Sequence, residues 1–215
     1  MNKRKVLTAF LLATALTGFA KGYVNNEAKN KARHWPLFSS VQYEGFDSVF
    51  AQNPLKADEF YNPILQGCYP DPSICRRGDD YYLVCSSFVM FPGVPIFHST
   101  DLVNWKQIGH VLDRDSQLKV GGGGTSNGIY APTIRYNPHN KTFYMITTQT
   151  TYMGNMMVKT TDPEKGWSDP INLHFNGIDP SFFFDDNGKG YIVHNGPVVG
   201  GADYEGQRAI RCFEF

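Results

Sequence analysis

A net excess of positive or negative residues is missing from this chain. Its 20 Lys and Arg balance 20 Asp and Glu, and the net charge is zero. No basic cluster lies outside the first few residues, so the electrostatic footprint of a nucleic-acid-binding protein is absent. Cysteine is scarce. Cys68, Cys75, Cys85 and Cys212 are too few for a disulfide scaffold, and their spacing matches no zinc site. They read as buried small residues; if a bridge formed, Cys68 would be its expected member. His98, His110 and His194 lack metal-ligand spacing and read as structural. Gly121 to Gly124 is followed by neither a helix nor Lys-Ser/Thr, which excludes a phosphate loop. After residue 20 no apolar run is long enough to span a bilayer as a helix, and no useful helical stretch appears.

What is present points to β structure. The chain has 215 residues, enough for one domain with a sizeable core. At 41% hydrophobic and 19% charged it is globular. Aromatics reach 14%, with 21 Gly and 13 Pro, a composition of strands and turns. The first 20 residues read as a signal peptide: basic Lys3-Arg4-Lys5, apolar Val6 to Leu16, then small residues around Gly18 and Ala20. An exported protein, periplasmic or extracellular, is expected. Residues 21–55 are polar and aperiodic, an irregular arm or linker. Residues 56–215 form the main domain.

That domain repeats a phrase. Asp71-Pro72-Ser73-Ile74 leads into a turn and Tyr81-Tyr82-Leu83-Val84. Asp179-Pro180-Ser181-Phe182 leads into a turn and Tyr191-Ile192-Val193. Between them, Ala131-Pro132-Thr133-Ile134 leads into Phe143-Tyr144-Met145-Ile146, without the acid. The first two units continue alike, with a strand, a Ser/Thr-Asp turn, a Trp and a further strand: Val94 to Ile108 and Met156 to Ile171. Arg208 to Phe213 looks like the third strand of the last unit. Four antiparallel strands per unit, with heads at 71, 131 and 179, predict an all-β propeller. A sandwich does not predict the recurring head. About two and a half blades are expected here, as the N-terminal part of a longer protein.

In a propeller the first strand of each blade lines the channel, so Asp71 and Asp179 are expected to face one funnel. Converging carboxylates raise one another's pKa and can divide into acid and base roles. Asp79, Asp80, Asp185 and Asp186 read instead as hairpin-turn residues.

The stretch Asn62-Pro63-Ile64-Leu65-Gln66-Gly67-Cys68-Tyr69-Pro70-Asp71-Pro72-Ser73-Ile74 resembles the opening of glycoside hydrolase family 43, the β-xylosidases and α-L-arabinofuranosidases. So do Ser87 to Val94, His98 to Trp105, Gly128-Ile129-Tyr130-Ala131-Pro132 and Gly177-Ile178-Asp179-Pro180-Ser181. The resemblance implies a five-bladed propeller that hydrolyses xylan- or arabinoxylan-type oligosaccharides with inversion. It implies Asp71 as general base and Asp179 as the residue that orients the acid and tunes its pKa. Phe88, Phe91 and Tyr130 match positions lining the sugar funnel, with Tyr130 where Trp is commoner and Met90 replacing an aromatic. The family's general acid is a Glu about one blade after the second Asp, beyond Phe215. Neither Glu205 nor Glu214 is expected to serve, so this chain alone is expected to be inactive. The channel calcium and a sugar-gripping Arg also come from later blades; no metal ligand is expected in this chain and no cofactor is required. A plant-type oligosaccharide or polysaccharide is the implied partner. The rival readings are a non-catalytic sugar-binding propeller, which has no need of two aimed carboxylates, and a fructoside-acting propeller, whose Asn-Asp-Pro-Asn type motif is absent.

Overall fold

The computed structural model describes residues 48–119 and 121–215. The proposed signal peptide, and the arm up to residue 47, lie outside the described residues. Within the unit Met1–Pro54 the described residues carry one short helix, α1 (Ser48–Gln52), where the sequence reads as irregular. The rest, Leu55–Phe215, is one compact unit built of antiparallel sheets.

Each repeat of the phrase is a sheet. The first holds β1 (Ser73–Arg77), β2 (Asp80–Val84), β3 (Gly93–Ser99) and β4 (Lys106–Leu112), paired in chain order. The second holds β5 (Ile129–Asn137), β6 (Thr142–Gln149), β7 (Gly154–Thr160) and the two-residue β8 (Ile171–Asn172). The third holds β9 (Ile178–Phe184), β10 (Gly190–Pro197) and β11 (Arg208–Glu214). The leading strands are neighbours in space: β1 lies beside β5, and β5 beside β9.

Alternation along the second strands explains the stacking, because successive side chains leave opposite faces. On β6, Phe143 and Met145 enter the core shared with the first sheet, against Val84, Ile96 and Ile134. Tyr144 and Ile146 enter the core shared with the third, against Phe182 and Ile192. A strand buried on both faces must be apolar at nearly every position, as Phe143-Tyr144-Met145-Ile146 is. On β2, Tyr82 and Val84 face the second sheet, while Leu83, and Cys85 just past the strand's end, turn outward under Leu65 and Tyr69.

The turn chemistry follows the sequence reading. Asp101 accepts the amide protons of Val103 and Asn104 and the side-chain amide of Asn104, which holds its carboxyl well below the usual range. Asp185 caps its own hairpin through the amides of Asn187 and Lys189. Asp80 does more than make a turn. It opens β2 and lies 2.7 Å from His98 Nε2.

The cysteines divide. Cys75 and Cys85 are buried, and burial pushes both thiols up to about 12. Cys68 and Cys212 are exposed, against expectation. Cys212 lies on β11, at the free edge of the third sheet, and no described element covers that edge. All four are free thiols.

Candidate active site

The heads of the three leading strands share one backbone conformation. Asp71, Ala131 and Asp179 have φ of 53°, 36° and 55°. Positive φ is uncommon for residues other than glycine, and a following proline disfavours it further. Its recurrence at equivalent positions shows that the turn into each leading strand is built once and reused.

Two of these heads carry carboxylates, and the structure brings them together. Both are exposed. Burial first, then the negative charge of Asp71, raises the pKa of Asp179 above its ordinary value. The sign for stability follows. A carboxyl that holds its proton more tightly in the folded state favours folding at low pH. That advantage is lost as pH rises above the ordinary carboxylate range.

Asp71 is held by a residue that sequence reasoning missed. Ser86 Oγ donates to Asp71 Oδ2 at 2.5 Å and accepts the amide proton of Ala131 at 2.7 Å. One buried hydroxyl thus ties the head of the first sheet to the head of the second. The signal was the strand register. Ser73 pairs with Val84, and two further residues along each chain Ser86 stands opposite Asp71. The Ser of the phrase adds a second tie, for Ser73 Oγ accepts the amide proton of Ile134 at 3.1 Å. Ser86→Ala is expected to cost about 1–3 kcal/mol, because it leaves the part-buried Ala131 amide without its acceptor. Urea unfolding of the two proteins measures it.

Phe88 and Tyr130 meet edge to face at the same rim, ring centroids 5.8 Å apart. Phe88 is fixed by paired backbone bonds with Ile129, at 3.1 and 3.0 Å. The Tyr130 hydroxyl donates to the Ser126 carbonyl at 2.6 Å. Phe91 makes no ring pairing with these two among the described residues. It is 43% exposed and has no ring partner among the described residues, so core packing does not explain it. Met90, also exposed, borders a cavity of about 290 Å³ with Ser86, Tyr69 and His110.

Two glycines shape the approach to the heads. Gly128 has φ of 103°, and a Cβ there would lie 2.0 Å from the Phe88 carbonyl oxygen. Gly177 has φ of 137°, and a Cβ there would meet the Asn195 carbonyl oxygen at 2.4 Å.

A matching model covers residues 60–214, that of glycosyl hydrolases family 43. The chain belongs to this family. It is 57% identical over 152 residues to a xylosidase/arabinosidase from Butyrivibrio fibrisolvens, covering 69% of this chain and 29% of the relative. It is 47% identical over 138 residues to a non-reducing end alpha-L-arabinofuranosidase from Bacteroides ovatus, covering 62% of this chain and 26% of the relative. Among solved structures, a GH43_12 protein retrieved from a capybara gut metagenome superposes with a TM-score of 0.74 at 66% identity. That match covers 80% of this chain and 32% of the other. The family 43 chain described here thus spans less than a third of the length of these relatives.

Neither late glutamate joins Asp71 and Asp179 at a strand head. Glu205 is exposed in the loop before β11, and Glu214 lies on β11 in an ion pair with Lys189 at 3.1 Å. Among the described residues no three His, Cys, Asp or Glu side chains gather as a metal site.

Proposed function

We propose that this family 43 chain carries the general base and the acid-tuning carboxylate of an inverting glycoside hydrolase acting on xylo- or arabino-configured oligosaccharides of plant type. The observation that carries the reading is the pair of head carboxylates. Asp71 and Asp179 open the first and third repeats, on either side of the Ala131 head, and the charge of Asp71 helps raise the pKa of Asp179.

In this reading Asp71 removes a proton from water, which attacks the anomeric carbon from the face opposite the leaving group. An acid protonates the departing oxygen, and about 6.5–9.5 Å between base and acid leaves room for the water. Asp179 supplies negative charge that keeps the acid protonated and holds it in place. Phe88 and Tyr130 offer ring faces and edges to the C–H faces of a pentose, and Phe91 extends that surface. The acid itself is neither Glu205 nor Glu214, so the chain alone is expected not to turn over. The sheets are blades of a five-bladed propeller whose leading strands line the channel. The N-terminal 20 residues direct export, and the substrate is met outside the cytoplasm.

The test grafts residues 62–215 into the Butyrivibrio fibrisolvens relative in place of the segment they match. The chimera is expected to hydrolyse an aryl β-xyloside or α-L-arabinofuranoside. Proton NMR of the first product is expected to show the anomer opposite to that of the substrate. A first product that keeps the substrate's configuration rules out the base role, since retention needs a nucleophile in its place.

A further inference from the structure

A second concavity, of about 430 Å³, opens on the same rim as the carboxylate heads. Its walls are segment 115–119 after β4, the turn from β6 to β7, and Asn172 at the end of β8. In antiparallel sheets these ends stand on the side where β5 begins, which is the side of Ala131. A narrow gap shares Leu118, Lys119 and Gln149 with it and is lined by Phe88. The cavity is therefore a neighbour of the aromatic pair, separate from the carboxylates.

Its frame is built. Gln117, buried, donates to the carbonyls of Trp167 and Ser168 at 3.2 and 2.9 Å and accepts the amide proton of Asp113 at 2.9 Å. Gln149, also buried, accepts the amide protons of Tyr152 and Met153. Asn172 Nδ2 donates to the Met153 carbonyl at 2.7 Å. The Tyr152 hydroxyl donates to the Gly121 carbonyl at 2.9 Å, which pins a ring that is 56% exposed. Gly122 permits this lean, because a Cβ there would lie 2.8 Å from that hydroxyl.

The lining specifies a chemistry. Leu118, Met153 and Met156 give an apolar floor, and Tyr152 a ring. Asp115 and Lys119 bring one charge of each sign, neither in an ion pair among the described residues. An anion would meet Asp115 and a cation Lys119. A neutral ligand with many hydroxyls satisfies both, and Asn172 Oδ1 adds an acceptor. A volume of this size suits a small organic ligand, and a sugar ring has the apolar face that Tyr152 can cover.

We propose that this cavity is a second saccharide site, apart from the carboxylates, that takes a neutral oligosaccharide. The choice of a pentose oligomer as the ligand rests on the function proposed above; the site itself rests on the cavity. It would hold a further part of a polymer, or a second chain, beside the catalytic rim.

The test uses the 215-residue protein labelled with ¹³C at its methionine methyls. Met153 and Met156 line the cavity, whereas Met90 borders the concavity beside Ser86. Xylotriose is expected to shift the Met153 and Met156 signals saturably, equally in the Asp71→Asn variant, while inorganic phosphate leaves them in place. Tyr152→Ala is expected to weaken the response about tenfold, and Asn172→Ala to weaken it by a smaller factor. Unmoved Met153 and Met156 signals with both xylotriose and an arabinotriose overturn the proposal, as does an unchanged affinity in both variants or an equal response to phosphate. Met153 and Met156 responding while Met90 stays silent and the chimera fails to turn over supports this site and sinks the function proposed above.

Discussion

Asp71→Asn is expected to lower kcat of the chimera by about 10²–10⁴-fold, the range that a positioned general base contributes. Asparagine keeps the size of the side chain and an oxygen that can still accept the Ser86 hydroxyl proton. The tie between the first two heads therefore survives, and the loss belongs to proton transfer. The same change removes a negative charge beside Asp179. Part of the upward shift of the Asp179 carboxyl should disappear, while the larger part, due to burial, stays. Carbon NMR titration of the Asp179 carboxyl in the two proteins measures that. A kcat within a few-fold of the parent would remove Asp71 from the mechanism, and an unmoved Asp179 titration would break the electrostatic link between the heads.

Gly128→Ala should produce the largest loss of stability of any glycine-to-alanine change among the described residues. The new Cβ would lie 2.0 Å from the Phe88 carbonyl oxygen, and alanine would have to adopt φ of 103°. That oxygen is already engaged, because it accepts the Ile129 amide proton at 3.0 Å. The strand start cannot retreat without breaking the bridge between the two sheets. Strain at such a φ costs about 1–3 kcal/mol by itself, and the clash adds to it, so a total of about 3 kcal/mol or more is expected. For a domain of this size that is a fall in Tm of about 6–12 °C. Thermal unfolding followed by circular dichroism tests it, with Gly166→Ala as a comparison in which φ is 99° but no atom lies within 4 Å of the added carbon. Equal losses at the two positions would assign the effect to backbone strain alone.

The repeated phrase made the three sheets legible before any coordinates. A head, two strands, a Ser/Thr-Asp turn and a Trp recur in order, and strand pairing within a unit is local in sequence. The carboxylates were legible for the same reason, since they are the variable position of a constant phrase. Ser86 was not, because its role arises from register: it faces Asp71 only once Ser73 is paired with Val84. Cys212 was misread because alternation along a strand tells which residues share a face, not whether that face is covered. Phe91, read as lining the sugar funnel, carries its ring at the surface. The cavity at Tyr152 had no sequence signal at all, for it draws on segments more than 50 residues apart that meet only through stacking of the sheets.

The common backbone at Asp71, Ala131 and Asp179 makes the rim a set of interchangeable sockets. The turn geometry at each does not depend on the side chain it holds, because an alanine sits in it as two aspartates do. The acid content of this edge can then change by one codon without refolding a loop. A scaffold of this kind separates inheritance of shape from inheritance of reactivity, and new chemistry can be tried at one socket while its neighbours keep the old.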